Sequence, residues 1–524
     1  MKIHAVPDVF LHLAIANELT HSIPPQAPVF AGQPLNYHYG MDLAVAMFAS
    51  ATGLETTDLL LRFMPTLFLA LSVLSVYCFA RAWLQSGYFG ALVAFLVFFG
   101  EDFSFIPGFL LGEKRDWSVL FFNMPTVLSL FYTNPMLPAL GLLFAGLFCL
   151  HRYLLERTGA WLFLSALLFV ALVEIKLFTA LQIMSCLGIG AILYCLLFKK
   201  TELFKVAAVT AVLTFPLIVS VVLHNRRGAD IITAFVPWPY VSIAMARFGL
   251  KGWFTGVFAF TGIALPMYLI GSFGLRVIGL PTVLKTLFRP NRESPLRFVL
   301  ALFVVIGVVI GLTCRIVPAT SLNAYNNSAW FFAQSKYVAW IFAVEVLQGL
   351  YRIVSRNVPP LFAALAVTTA AMVLSIPATV QHFALEANPQ RVYGKPVKPV
   401  VQSYSKETLD VIAQLRKTAQ PGHVVLPEDD LLGPVLALTK CRVPMGYFSN
   451  FLVSNADHSE REKAQKDFWT AWGFGEVRSD LLREAKIRYI VCHKRIADGP
   501  SILPGLLEIF SNSEFSLFEV KQDG

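Results

Sequence analysis

The chain has 524 residues, 56% of them hydrophobic and only 14% charged, with 45 Phe and a mean hydropathy of +0.63. These values lie far outside the soluble globular range, and its longest apolar runs need a bilayer. A net charge of +9 does not indicate nucleic acid, because the basic residues fall in short loops between apolar runs rather than along one stripe.

The first forty residues carry dense chemistry. Asp8 and His12 open an apolar helix-like run, DVFLHLAIANEL; Pro24, Pro25 and Pro28 make a proline-rich turn, followed by Gly32 and the cluster Tyr37, His38, Tyr39, Gly40. On a helix, Asp8 and His12 are four apart and share a face. An Asp at a membrane surface can take a proton from a hydroxyl, and a His can orient it or bind a metal. Equally, Asp8 after Pro7 suits a helix cap. Tyr37, His38 and Tyr39 could line a sugar site, although an interfacial aromatic belt is the simpler reading.

Apolar runs follow at approximately Leu59–Ala82, Leu84–Gly100, Pro135–Leu150, Trp161–Val173, Leu177–Phe198, Val206–Leu223, Trp253–Leu275, Phe298–Thr313, Tyr337–Leu350 and Pro360–Ile376. They predict about ten spans. Basic residues mark alternate connections: Arg81; Arg152 and Arg157; Lys199, Lys200 and Lys205; Arg276, Lys285, Arg289, Arg292 and Arg297; Arg352 and Arg356. By the positive-inside rule these connections are cytoplasmic, which places the segment before the first span and the tail outside.

Within this series Glu101 and Asp102 end the second span, where they are either functional or solvated at the interface. Glu174 and Lys176 lie between two short apolar runs, with Lys176 either neutralising a phosphate or pairing with Glu174. Arg226 and Arg227 are phosphate candidates or a solvated loop pair. The stretch 323–334, NAYNNSAWFFAQ, is polar and aromatic at the outer mouth of a span.

From about residue 380 the pattern changes to a small α/β domain. Ser405 caps a helix through Leu415; HVVLP (423–427) reads as a strand and LLGPVLALTK as a helix; RYIVCH (488–493) is a strand, Leu503–Ile509 a helix and FSLFEV (515–520) a strand. Cys441 and Cys492 either pair in an oxidising outer compartment or sit in the core. The expected division is 1–58 as a first extracytoplasmic loop with the catalytic candidates, 59–379 as a transmembrane domain and 380–524 as an extracytoplasmic α/β domain.

Together these motifs resemble the GT-C superfamily of membrane glycosyltransferases, nearest to the protein mannosyltransferase and aminoarabinose transferase group. DVFLHLAIANEL with LNYHYG resembles their first outer loop, EIKLFTAL a lysine-bearing hairpin and YNNSAWFF a late outer-loop motif. The resemblance implies an α-helical multi-span GT-C-like fold in a plasma membrane, in a bacterium the inner membrane. It implies inverting transfer of a sugar from a polyprenyl-phosphate donor to an acceptor hydroxyl on a glycan, lipid or protein. Asp8 would be the catalytic base. His12, Tyr37, His38, Tyr39, Asp102, Lys176, Arg226 and Arg227 would bind substrate. A divalent cation, magnesium or manganese, is used by some relatives, and Asp8, His12, His38 and Asp102 could supply ligands, though no spacing demands it. Relatives carry a transmembrane helix before the catalytic loop, so a further amino-terminal span is expected upstream of Met1. Two other classes share parts of the pattern. A lipid-linked-sugar flippase or transporter should show repeat symmetry and broken midplane helices. A polysaccharide polymerase or ligase should show one large Arg-rich outer loop.

Overall fold

The computed structural model describes residues 2–4, 7–106, 110, 130, 135–224, 231–235, 262, 265–318, 327–387, 401–447, 449–452, 455–473, 476–494 and 505–521. The chain begins with β1 (Lys2–His4) and α1 (Pro7–Leu19), where Pro7 presets the first turn and Asp8 lies at the positive end of the helix dipole. After the loop 20–39 comes α2 (Gly40–Thr52), closed by Gly53 in the left-handed region at φ +72°.

The membrane part then follows as α3 (Thr56–Leu84), α4 (Gly87–Phe99), α5 (Met136–Glu156), α6 (Gly159–Ile175), α7 (Leu177–Phe198) and α8 (Glu202–His224). β2 (Ile231–Phe235), α9 (Leu265–Phe288), α10 (Pro295–Thr313), β3 (Cys314–Pro318), α11 (Ala329–Val354), α12 (Pro360–Ser375) and α13 (Pro377–Ala387) complete it. Among the described residues six helices are long and apolar enough to cross a bilayer: α3, α5, α7, α9, α10 and α11. They become seven if α12 and the first part of α13, bent by 41°, form one span. At about 1.5 Å per residue, the 19 residues of α10 already match a hydrocarbon core. The 13-residue α4 and 17-residue α6 are shorter, so the long helices are fewer than the ten apolar runs. Outward-facing Leu71, Leu74, Val212, Phe215, Leu361 and Phe362 are all more than half exposed or close to it, the surface a bilayer would cover.

One span differs from the sequence expectation. Arg276, read above as part of a cytoplasmic loop, sits fully buried within α9, which runs to Phe288; residues 253–261 of the expected span lie outside the described set. Charge alone marked Arg276 as a loop residue, but carbonyls, acids and an aromatic face receive it in the interior.

The tail comprises β4 (Val401–Ser403), α14 (Lys406–Thr418), β5 (Val424–Pro427), α15 (Leu432–Leu438), α16 (Asn455–Gly473), α17 (Ser479–Glu484), β6 (Ile487–His493), β7 (Leu506–Ser511) and β8 (Phe515–Val520). Ser405 caps α14 as expected, its Oγ accepting from the Thr408 N–H. The sheet order is β5-β6-β8-β7, with β5 and β6 parallel and the other pairs antiparallel. Of the helix expected over Leu503–Ile509, the described residues from Leu506 on form strand β7 instead: the leucines favour helix locally, but the turn at Asn512 pairs LLEIFS with β8 as a hairpin. Cys441 and Cys492 belong to different hydrophobic clusters and are not joined, so the expected alternative of a disulfide is not realised.

The amino-terminal segment is built into the tail. β1 pairs with β4, and α1, α2 and the start of α3 share one hydrophobic core with α14, α15 and strands β5, β6 and β8. α1 approaches α15 so closely that a Cβ at Gly433 would meet the Phe10 ring at 2.9 Å. Loop 20–39 is strapped to the tail by Ala31 N–H to Val443 O, Val443 N–H to Pro28 O and Gly446 N–H to Val29 O, at 2.8–2.9 Å.

Candidate active site

The strapping of loop 20–39 and the packing of α1 decide where the polar side chains go. α1 carries Asp8 and His12 on one face, and the start of α2 brings Asp42 against it. His12 Nδ1 lies 3.0 Å and 3.1 Å from the two Asp42 carboxylate oxygens, with both side chains buried. Burial opposes a charged imidazole, yet the Asp42 charge and hydrogen bond, helped by Asp8, leave the His12 pKa raised. Burial also raises the Asp42 carboxyl, so the two groups act as a pair sharing a proton.

Loop 20–39 ends in Tyr37 and His38, whose rings stack at 4.1 Å; Tyr37 also stands 6.1 Å from the His12 ring. Burial, then the charges of Asp8 and Asp42, raise the Tyr37 hydroxyl pKa, which keeps it a neutral donor. Burial, with Lys176 and His12 nearby, pushes His38 well below the ordinary histidine range. Its Nε2 is buried without a hydrogen-bond partner among the described residues.

Lys176 enters from the break between α6 and α7. It is buried, and its ammonium lies 4.2 Å from the centre of the Trp330 ring at the start of α11. Burial lowers its pKa to about 8, and Asp8 acts in the other direction. Glu174 is held elsewhere: Gly40 passes over it so closely that a Cβ there would meet Glu174 O at 2.9 Å. Tyr39 precedes α2 beside Glu174, at the edge of this group.

Of the nine residues singled out in the sequence, the structure therefore brings together Asp8, His12, Tyr37, His38 and Lys176, with Tyr39 at the margin. Arg226 and Arg227 lie outside the described residues, as do residues 323–326 of the late outer-loop motif. Asp102 belongs to a second group. With Glu101 it is fully buried, which overturns the solvated reading of the two acids. Arg276, Lys336 and His382 surround them, and Arg276 donates to Gly100 O at 2.5 Å while stacking 4.6 Å from Trp340. Burial and the adjacent Asp102 charge raise the Glu101 carboxyl against the pull of Lys336 and Arg276.

Two members of the first group are not among the nine: Asp42, whose partner is 30 residues away and which the sequence offers only as a further acid, and Trp330, which lies in the polar and aromatic stretch 323–334. Arg276 was hidden by the assumption that basic residues mark loops, and Lys336 by its place just before the expected start of a span at Tyr337.

For a cation, the fit can be tested on the donor set. Among the described residues, one group of three side chains offers ligand atoms within 4.8 Å of one another: Glu428, Asp430 and His493, in the tail. Asp8, His12, His38 and Asp102 do not form such a group, since His12 Nδ1 faces Asp42 and Asp102 lies with the buried cations. They do not fit a divalent cation as placed.

Neither a protein-family profile nor a curated protein sequence matches the chain. Among solved structures, the chain is similar in fold to those of an archaeal oligosaccharyltransferase, and its long apolar helices make it an integral membrane protein. One such structure is the apo oligosaccharyltransferase of Archaeoglobus fulgidus, with a TM-score of 0.53 and 12% identity, covering 93% of this chain and 66% of that one. The same archaeal protein tethered by a disulfide to an acceptor peptide containing the NVT sequon gives 0.50, 12%, 93% and 65%. A third structure, in complex with an inhibitory peptide and a dolichol-phosphate, gives 0.49, 12%, 93% and 65%. This likeness is one of fold, and the chain spans slightly less than two thirds of the length of these structures.

Proposed function

We propose that the protein is an inverting glycosyltransferase that moves a sugar from a polyprenyl-phosphate donor to an acceptor hydroxyl at the extracytoplasmic membrane face. The observation that carries this reading is the convergence of Asp8, the His12–Asp42 pair, His38 and Lys176, on a GT-C fold, where the amino-terminal segment meets the membrane helices. In this reading residues 1–58 are the catalytic segment, 59–379 the membrane domain and 380–524 the outer domain. The archaeal structure tethered to an acceptor peptide favours a polypeptide acceptor over a glycan or a lipid.

The chemistry follows from the charges. Asp8 takes the acceptor proton as its oxygen attacks the anomeric carbon from the face opposite the phosphate. The bond from that carbon to the phosphate oxygen breaks, and the leaving polyprenyl phosphate keeps the electron pair. Lys176 neutralises the charge that builds there. His12, held by Asp42, fixes the electrostatic setting of Asp8. The polymerase or ligase and the transporter remain as rival classes, and neither requires a carboxylate base beside a buried lysine.

Lys176→Met is expected to weaken binding of a polyprenyl-phosphate sugar, and Lys176→Arg to keep part of it, in a binding assay on detergent-solubilised protein. Unchanged donor binding by Lys176→Met would remove the phosphate role. The same reading places the tail outside. A reporter fused after Gly524 should be active only in the oxidising compartment; activity confined to the cytoplasm would put the site on the wrong side for the donor.

A further inference from the structure

The first turn of α7 carries a second polar group next to Lys176. Thr179 is 1% exposed, and its Oγ1 has no hydrogen-bond partner among the described residues. A buried hydroxyl left unpaired costs stability, so such an atom calls for an explanation. Its place in the fold supplies one. Thr179 lies three residues beyond Lys176, its N–H donating to Lys176 O at 3.0 Å, so it sits in the first turn of α7 next to the residue that precedes the helix. Helical side chains lean back toward the amino terminus, which directs this side chain toward the amino-terminal end of α7. That end is the positive pole of a 22-residue helix.

Two further polar groups, on elements that meet Lys176, have no hydrogen-bond partner among the described residues. His38 Nε2 is buried without a partner, and His38 is close enough to Lys176 to feel its charge. Gln334 stands one helical turn beyond Trp330, the ring beneath the Lys176 ammonium, and neither of its amide atoms has a partner although the residue is 1% exposed. A cation, a helix amino terminus and spare donors describe a seat for an anion. The spare groups are neutral, so they add geometry to the attraction that Lys176 supplies.

We propose that the Thr179 hydroxyl is a positioning group that holds the donor phosphate at the start of α7, with Lys176 and His38 completing the seat. This rests on the proposed glycosyl transfer and deepens it: the hydroxyl donates to a phosphate oxygen in the bound donor and in the leaving polyprenyl phosphate alike. Its effect therefore belongs to donor affinity more than to turnover.

The test compares Thr179→Val, nearly isosteric, with Thr179→Ser, on full-length protein in nanodiscs, using sugar-free polyprenyl phosphate as the probe. Removing an unpaired hydroxyl should leave the melting temperature equal or higher, while polyprenyl-phosphate affinity falls roughly ten- to a hundredfold, the range for a hydrogen bond to a charged group. Thr179→Ser should retain wild-type affinity. If Thr179→Val binds polyprenyl phosphate as wild type does, the phosphate seat is wrong, while the proposed transfer still stands on Asp8 and Lys176. If only the sugar-bearing donor loses affinity, the hydroxyl contacts the sugar and the seat is again overturned. Wild-type protein that binds no polyprenyl phosphate removes both proposals.

Discussion

Asp8→Asn is expected to lower glycosyl transfer by about a hundred- to ten-thousandfold, the usual cost of losing a general base. The substitution is nearly isosteric, and Asn at the second position of α1 leaves the helix free to form, so the fold should persist. The neighbours of Asp8 make the experiment selective. Its charge reaches His12, Tyr37 and Lys176, so the neutral variant should also lower the His12 pKa and lower the Lys176 pKa further below about 8. Removing a negative charge destabilises both cationic forms, which fixes the sign of each shift. Transfer from a polyprenyl-phosphate sugar, followed alongside thermal melting, separates the two kinds of effect. Near-normal turnover would leave Asp8 as a charge at the start of a helix. Asp42 would then be the next candidate base, since it already holds the imidazole of His12.

Some of this geometry is legible in the sequence because it is local. The four-residue spacing of Asp8 and His12 predicts a shared face, and the structure places both on α1. Lys176 is visible as a charge between two apolar runs, and its burial follows from that position. What periodicity cannot show are pairings over long separations. Asp42 reaches His12 across a loop whose path is set by backbone bonds to Val443 and Gly446, more than 400 residues away. The buried group of Glu101, Asp102, Arg276 and Lys336 is invisible for the opposite reason. Each charge alone reads as a helix end or a loop, and only their mutual compensation makes burial tolerable. In the tail, LLEIFS shows local preference losing to hairpin pairing. The length of the long helices was harder to read than their existence, because apolar runs such as Leu84–Gly100 fold into helices too short to span alone.

The bond that joins the two ends of the chain yields the largest expected effect on stability. Arg442, between α15 and the sheet, grips the Glu18 carboxylate with Nε at 3.0 Å and Nη2 at 2.7 Å, while Nη1 donates to the Gln26 amide oxygen. The Glu18 side chain is fully buried and also lies 3.3 Å from His21 Nε2. Burial opposes its charge, but bonds to His21 and Arg442 win and lower its pKa to about 2. Arg442→Ala would leave a buried carboxylate without its main partner, a change that typically costs about 3–5 kcal/mol. Because Glu18 ends α1 and Arg442 leads into the strap on loop 20–39, the loss should appear where the amino-terminal segment meets the tail. Protease sites in loop 20–39 should therefore open before the membrane helices unfold. The pH dependence follows from the depressed pKa. A carboxyl with an ordinary pKa near 4.5 in the unfolded chain and about 2 in the folded one contributes stability above the unfolded value. That contribution should fade as pH falls through 4.5 and be gone below about 2. Wild-type melting temperature should thus drop across this window, and Glu18→Gln should flatten the drop while melting lower at neutral pH. If Arg442→Ala melts and resists proteolysis as wild type does, the tail is held to α1 by its apolar core alone, through contacts such as Phe10 against Gly433.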